Sequence, residues 1–181
     1  MNAKNNPGKR KFVYRILFLT IILLMIILIF IRNISPRQID DVNPNRLCEE
    51  IYADRSQVLM IVPLLDNISI ADNKHWCEYI LRLNKSLGMH GVYHTPEEFN
   101  ELRNDSYILL GMEEFKKCFG FYPTIFEAPE LVLNRENRDL LRDRGFEVRG
   151  RTFNVFHKVY HCVDFDKNSY LVKLNKFIDL V

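Results

Sequence analysis

Two histidines stand four residues apart in the stretch GMHGVYHTPEEF, and their spacing suits a metal site. A zinc or similar ion used for hydrolysis takes three protein ligands and keeps one position open for water. His90 and His94 would supply two nitrogens from one side of a helical turn or of a strand. Glycines at positions 88 and 91 would let backbone or substrate come close. For H-x-x-x-H taken alone, two partly exposed loop residues are the simpler interpretation.

The adjacent carboxylates of Asp40 and Asp41 supply the chemistry that two histidines lack. One carboxylate would hold the ion while the other accepts a proton from water. Like charge and a nearby metal would push the two pKa values apart and so separate these roles. A solvated turn, with Asp41 helping to cap the helix that follows, is the alternative interpretation.

The elements that must position these residues alternate between strand and helix. Residues 57–65 (QVLMIVPLL) form a continuous apolar run that is typical of a buried parallel strand. Residues 146–152 and 154–165 are also predicted as strands, and 169–181 as a closing amphipathic helix. The resulting order, β-α-β-α-β-α-β-α-β-β-α, predicts an α/β architecture with a largely parallel sheet.

Capping residues predict where the helices begin and end, because they satisfy free backbone groups at helix termini. Asn43 before Pro44 predicts one helix start. Thr95 with Glu98 fits a capping box that would open a helix reaching to about position 119, with a break near Asn104 as the alternative. A later helix is expected to start at Asn134 and to stop at Gly145.

The candidate residues share one location in this scheme. Each of them follows a predicted strand: Asp40 and Asp41, residues 64–67, both histidines, and residues 127–129. In α/β folds, ligands gather at the carboxyl ends of the strands. This convergence strengthens the metal interpretation beyond a lone H-x-x-x-H.

The N-terminus carries a segment typical of a membrane span. Residues 12–31 contain one charge, Arg15, and match the length of about 20 residues that a spanning helix needs. A cleaved signal peptide is the alternative, but no A-x-A-like site follows. Basic residues before the run favour a cytoplasmic N-terminus. We therefore expect a cytoplasmic basic tail at 1–11, a transmembrane signal anchor at 12–32, and a catalytic domain at 33–181 that is lumenal, periplasmic or extracellular.

The remaining composition describes one globular domain of about 150 residues. The net charge is +2, with Lys and Arg interspersed among Asp and Glu, so no nucleic-acid footprint is indicated. The four cysteines form no C-x-x-C pair, which disfavours a thiolate zinc site. In an oxidising compartment they predict one or two disulfides of undetermined pairing, with four separate thiols as the alternative. They are Cys48, Cys77, Cys118 and Cys162.

Four stretches carry a family resemblance by their order: IDDVNP, VLMIVPLLDN, LGMHGVYHT and IFEAPELVLNRENRDLLRDRGFEV. The sequence resembles the polysaccharide deacetylase superfamily of the NodB-homology type. It is most similar to the divergent branch with Asp-Asp-Val and His-Gly-x-x-His motifs. The resemblance covers residues 39–148. It implies a small or incomplete, distorted (β/α) barrel of the glycoside hydrolase/deacetylase type, preceded here by one transmembrane helix.

The resemblance implies a role for each matching residue. Asp40 matches the general base and Asp41 the metal-binding aspartate, while His90 and His94 match the two metal-binding histidines. Asp66 competes for the acidic motif, because LLDN also follows a strand, and it ranks second. The implied activity is removal of acetyl groups from a polysaccharide or other glycan, with a divalent metal, zinc foremost, as cofactor.

Two departures from the family pattern concern the rest of the site. The family's third motif carries an arginine before Pro-Pro, whereas this chain has Glu127 and then Pro129, the predicted substrate-binding residues. The late Leu-x-His motif, which supplies the general acid, is not plainly present. His161 is predicted to take that role, and His157 is interpreted as structural. An inactive relative that only binds carbohydrate or a partner is therefore the alternative to a hydrolase.

Overall fold

The computed structural model describes residues 7–46, 48, 50–162 and 175. Its centre is a sheet of six parallel strands in the order β5-β4-β3-β2-β1-β6. The sheet curls into a half-barrel, which confirms the predicted incomplete (β/α) barrel. The strands are β1 Gln38–Val42, β2 Val58–Ile61, β3 Ser86–His90, β4 Ile125–Glu127, β5 Glu147–Arg149 and β6 Val159–His161.

Helices connect successive strands, as parallel pairing requires. Helix α1, Pro7–Ile34, precedes the sheet, and the connecting helices are α2 Glu50–Arg55, α3 Lys74–Arg82, α4 Asp105–Phe119, α5 Arg135–Asp143 and α6 Arg151–Phe156. The apolar run predicted as a buried strand contains β2, all of whose residues are buried. In α4, the buried residues Ile108, Met112, Phe115 and Phe119 recur at helical spacing and form the stripe that packs on the sheet.

Two of the predicted helix starts are wrong. The helix expected from Thr95 begins at Asp105, where Asn104 caps it by accepting from the backbone of Tyr107. Asn43 caps no helix, because α2 starts only at Glu50. Its side chain instead stabilises the turn after β1 by accepting from the backbone N–H at position 45 and donating to the carbonyl at position 62.

The end of the chain departs from the prediction in one further place. Residues 151–156 form α6 and not part of a strand, so β6 is confined to Val159–His161. The predicted closing helix at 169–181 lies outside the described residues, apart from Asn175. The predicted cap at Asn134 and the stop at Gly145 are confirmed, since Asn134 accepts from the backbone at 137 and Gly145 has a left-handed φ of 84°.

The cysteines form two disulfides, Cys48–Cys162 and Cys77–Cys118. The first links the segment after β1 to the end of β6, and so it crosses 114 residues of sequence. The second joins α3 to α4 on one face of the sheet. The Cys48–Cys162 bridge therefore lies beside the strand ends that carry Asp40 and His161.

Helix α1 has the length and composition of a membrane span. Its apolar part, Arg10–Ile34, has a mean hydropathy of 2.9. Residues 10–27 are exposed, and the helix contacts the described part of the domain only near its end, through Arg32 and Asn33. The segment predicted as an anchor, 12–32, lies within it. A short connection of three residues then leads from Ile34 into β1.

Candidate metal centre

Asp40 and Asp41 lie near the carboxyl end of strand β1, where the strand loses its regular register. Asp41 has a left-handed φ of 64°, and the pairing with β2 shifts between Ile39 and Val42. Neighbouring strand residues normally face opposite sides of a sheet. Here both carboxylates reach one neighbour, because His161 Nδ1 lies 3.9 Å from Asp40 Oδ2 and 3.5 Å from Asp41 Oδ2.

Strand β3 ends in His90, and the tight loop that follows carries His94. Gly91 and His94 have φ values of 66° and 60°. The two histidines therefore share neither the helical turn nor the strand that their spacing predicted. A side chain at position 91 would overlap the carboxylate of Glu98, so the position needs glycine for space as well as for backbone conformation.

The loop is held by the carboxylate of Glu98, which is fully buried. It accepts backbone N–H bonds from Val92, Tyr93 and His94 at 2.9, 3.0 and 3.0 Å. The hydroxyl of Tyr107 donates a further bond at 2.7 Å. Hydrogen bonds to an ionised acceptor are stronger than neutral ones, so this carboxylate fixes the loop that positions His94.

Asp41, His90 and His94 converge on one point. Asp41 Oδ1 lies 2.6 Å from His94 Nε2 and 3.4 Å from His90 Nε2. One candidate ligand atom from each residue lies within 4.8 Å of the other two. Two imidazole nitrogens and one carboxylate oxygen suit a catalytic zinc site, in which a fourth position stays open. The donor set therefore fits a divalent ion.

The electrostatics favour an ionised Asp41. Burial alone would raise the pKa of Asp41, but hydrogen bonds from His161, His90 and His94 outweigh it and hold that pKa below its usual range. Arg46 adds a positive charge, with Nη1 3.3 Å from Asp41 Oδ1. A carboxylate that remains charged is the form that a metal ion requires.

A buried amide links Asp40 to Glu127. Gln38 Nε2 donates to Asp40 Oδ1 at 2.7 Å and to Glu127 Oε1 at 3.2 Å. Gln38 Oε1 accepts from Arg149 Nη1 at 2.7 Å. Because an arginine can only donate, Arg149 determines which way the amide points. Both amide N–H groups of Gln38 are thereby directed at the two carboxyl groups.

The two carboxyl groups differ in their affinity for a proton. Burial raises the pKa of Asp40 to about 6, with His161 opposing the rise and Asp41 adding to it. Burial and then the charge of Asp40 raise the pKa of Glu127 to about 8. The raised pKa keeps a proton on Glu127 at neutral pH, so the two acids that share the Gln38 amide carry one negative charge between them.

Comparison with solved structures identifies the fold. The Bc1960 peptidoglycan N-acetylglucosamine deacetylase is similar with a TM-score of 0.57 at 12% identity, over 80% of this chain and 79% of that chain. The polysaccharide deacetylase Bc1974 from Bacillus cereus is similar with a TM-score of 0.53 at 12% identity, over 80% of this chain and 84% of that chain. This chain has the polysaccharide deacetylase fold.

The likeness is one of fold, and it confirms the predicted resemblance at that level. BA3943, a CE4 family pseudoenzyme from Bacillus anthracis, has a TM-score of 0.49 at 13% identity, over 68% of this chain. The chain spans about half of that protein's length, since the match covers 49% of it. No family model matches the sequence, and no curated protein does.

Within the deacetylase fold, the other predicted residues take different positions. His161 lies on β6 directly opposite Asp40 in the strand register. Glu127 and Pro129 are both buried, with Glu127 in register with His90 on the neighbouring strand, and their substrate-binding role stays a prediction. His157 stacks on the ring of Phe153, with 3.7 Å between ring centroids, as suits a structural residue. Asp66 is exposed, and among the described residues it forms no ion pair with either histidine.

The sequence did not predict the roles that three residues of the site have in the structure. Gln38 had a usable signal, because residues two apart in a strand face the same side and Asp40 follows it by two. Glu98 was noticed but given a capping role at the wrong helix. Arg149 had no local signal, since it lies 111 positions from Gln38 and meets it only through the sheet order.

Replacing Glu127 with glutamine is expected to change how the stability of metal-free protein depends on pH. The folded chain keeps the Glu127 proton up to about pH 8, whereas an ordinary glutamate loses it near 4.5. Between these values the folded state binds more protons than the unfolded state. The group's contribution is therefore complete below the lower value and is lost as pH rises through the upper one.

Thermal unfolding with a chelator present, from about pH 5 to about pH 9, tests this expectation. Glu127→Gln should gain stability relative to the wild type as the pH rises. Glu101→Gln is the matched control, because the Glu101 side chain is 78% exposed, and its difference from the wild type should stay flat. If the stability of Glu127→Gln relative to the wild type stays constant or falls as the pH rises, the raised pKa of Glu127 is contradicted.

Proposed function

We propose that this chain is a metal-dependent hydrolase that removes acetyl groups from a polysaccharide or other glycan outside the cytoplasm. The observation that carries the proposal is the convergence of Asp41, His90 and His94 beside Asp40 at one end of the sheet. The deacetylase fold supports it. Bc1960, which shares that fold, is described as a peptidoglycan N-acetylglucosamine deacetylase, and so an acetylated glycan is the substrate class that we infer.

Asp41, His90 and His94 would hold the metal, and zinc suits two imidazoles with one carboxylate. When bound, such an ion polarises an acyl carbonyl and lowers the pKa of a water molecule. Glu98 contributes indirectly, since it fixes the loop that carries His94. Arg46, next to Asp41 and partly exposed, is available to a substrate at the rim.

Asp40 would take the proton from the attacking water. Its pKa of about 6 suits a general base at neutral pH, because the group is then ionised yet still accepts a proton readily. Gln38 holds the Oδ1 atom of Asp40, and the Oδ2 atom faces the site toward His161. Glu127, protonated, adds no second negative charge beside Asp40.

His161 would protonate the leaving amine or alkoxide. It projects from β6, on the opposite side of Asp40 from β3, which carries His90. Its side chain is about one-third exposed, so a substrate can reach it. Base and acid then lie on the two sides of the bond that breaks, as acyl transfer requires.

The proposed location follows from the N-terminal segment. We propose a cytoplasmic tail at 1–11, a signal anchor at 12–32 and a catalytic domain at 33–181 on the far side of the membrane. Helix α1 supports this arrangement by its length and hydropathy. The two disulfides are also consistent with an oxidising compartment.

Release of acetate from N-acetylated chito-oligosaccharides and peptidoglycan fragments tests the activity in zinc-loaded full-length protein. Asp40→Asn should lower kcat by at least about 100-fold, the usual contribution of a general base. Asp66→Asn is the matched control, because it neutralises the competing carboxylate after β2 and should leave kcat unchanged. The proposal fails if zinc-loaded wild type releases no acetate, in which case a carbohydrate-binding domain is the remaining interpretation.

The Gln38 amide generates a second kinetic expectation. Gln38→Leu should lower kcat about tenfold with little change in KM, since a hydrogen bond to a charged group is worth at least about 1.4 kcal/mol. Arg149→Met should also lower kcat. Arg149→Lys keeps a hydrogen-bond donor, so its kcat should lie between those of Arg149→Met and the wild type. Equal kcat values for Gln38→Leu and wild type would show that Asp40 needs no support from the amide.

A further inference from the structure

The end of the anchor helix is bound to the domain through a buried arginine. Arg32 lies in the last turn of α1 and is 2% exposed. Its Nη1 donates to the carbonyls of Asn154 and Val155 at 2.8 and 2.6 Å, and its Nη2 donates to Asn175. Those two carbonyls belong to the last turn of α6, where carbonyl groups lack helical partners. The arginine therefore caps α6 and supplies the positive charge that a helix C-terminus favours.

Neighbouring contacts make this junction stiff. Lys158 Nζ donates to Asn33 Oδ1 at 2.9 Å, and His157 Nδ1 lies 3.3 Å from the carbonyl oxygen of Pro36. Helices α1 and α6 also precede adjacent parallel strands, β1 and β6, at the same end of the sheet. The segment between α6 and β6 thus contacts the end of α1 and the connection that follows it.

The depth of this junction follows from the length of the anchor. Twenty helical residues starting at position 12 rise about 30 Å, the thickness of a bilayer's hydrocarbon core, and end at position 31. Arg32 is the next residue, so its guanidinium lies at the boundary with the headgroups. Because α6 contacts that guanidinium, the last turn of α6 lies at the same depth.

Three apolar side chains are exposed at this level. Ile34 is 68% exposed, Val155 is 46% exposed and Phe156 is 40% exposed. The backbone carbonyl of Val155 accepts a hydrogen bond from Arg32, which places the exposed Val155 side chain beside the end of α1. Aromatic and aliphatic side chains on a short helix beside a span are suited to the interface between headgroups and acyl chains.

From these contacts we infer that Val155 and Phe156 of α6, together with Ile34, form a second membrane contact, whose occupant is the phospholipid bilayer around the anchor. The inference rests on the membrane anchor proposed above and goes beyond it. With two contacts, the domain keeps one orientation on the membrane. Strand β1 then carries Asp40 and Asp41 about one strand length, roughly 15 Å, from the junction. The candidate metal centre opens at the end of the sheet opposite to α1 and α6.

Tryptophan fluorescence in vesicles of acyl-brominated phosphatidylcholine tests the contact in the full-length chain. The chain has one native tryptophan, Trp76, which is replaced by phenylalanine throughout. Phe156→Trp should show blue-shifted emission and be quenched at least about half as strongly as Phe30→Trp in the anchor. Leu102→Trp is the matched control, since Leu102 is 71% exposed in the loop at the carboxyl end of the sheet and should not be quenched.

Each result separates the membrane contact from the anchor. Quenching of Phe30→Trp without quenching of Phe156→Trp would overturn the second contact and leave the anchor standing. No quenching at either position would overturn both. Val155→Trp serves as an independent position if Phe156→Trp fails to form its disulfides, and it should be quenched in the same way.

Discussion

The carboxylate of Asp41 lies against the imidazoles of His90 and His94, and the surrounding backbone is organised around this contact. Placing a charged carboxylate in a buried position is costly unless it has partners of opposite charge or hydrogen-bond donors. Asp41 comes from β1 and the two histidines from β3 and the loop after it, so each strand end must deviate from regular geometry. β1 does so through the left-handed Asp41, and the loop after β3 does so at Gly91 and at His94 itself. Such sparsely populated conformations persist only where the surroundings determine them.

The second pair of carboxyl groups, Asp40 and Glu127, is linked to the positive charge of Arg149 only through the side chain of Gln38. Asp40 and Glu127 are both fully buried, and no arginine touches either among the described contacts. Arg149 instead donates to the side-chain oxygen of Gln38, and the Gln38 amide nitrogen then donates to the two carboxyl groups. Glu127 keeps its proton, which avoids burying a second negative charge next to Asp40. A glutamate at this position is therefore compatible with a charged Asp40, because its raised pKa keeps it neutral.

The sheet and the candidate ligands could be predicted because they rest on local pattern. The apolar run at 57–65 contains β2, and the motifs with Asp41 and His90 fall at strand ends, where parallel folds gather ligands. The role of Glu98 was predicted wrongly because Thr-x-x-Glu is also a sequence signal for a helix start. In the folded chain, three N–H groups of the loop before it compete successfully for the same carboxylate. The partnership of Gln38 with Arg149 and the pairing of the cysteines depend on strand order, which no short stretch of sequence encodes.

The central claim is that Asp41, His90 and His94 hold a metal ion, and elemental analysis of zinc-reconstituted full-length protein tests it most directly. The wild type should contain about one zinc per chain. The His90→Ala/His94→Ala double variant should contain none, and the His157→Ala control should keep it, because His157 lies outside the cluster, stacked on Phe153. A wild type without metal after reconstitution, or a double variant with as much zinc as the wild type, would contradict the account.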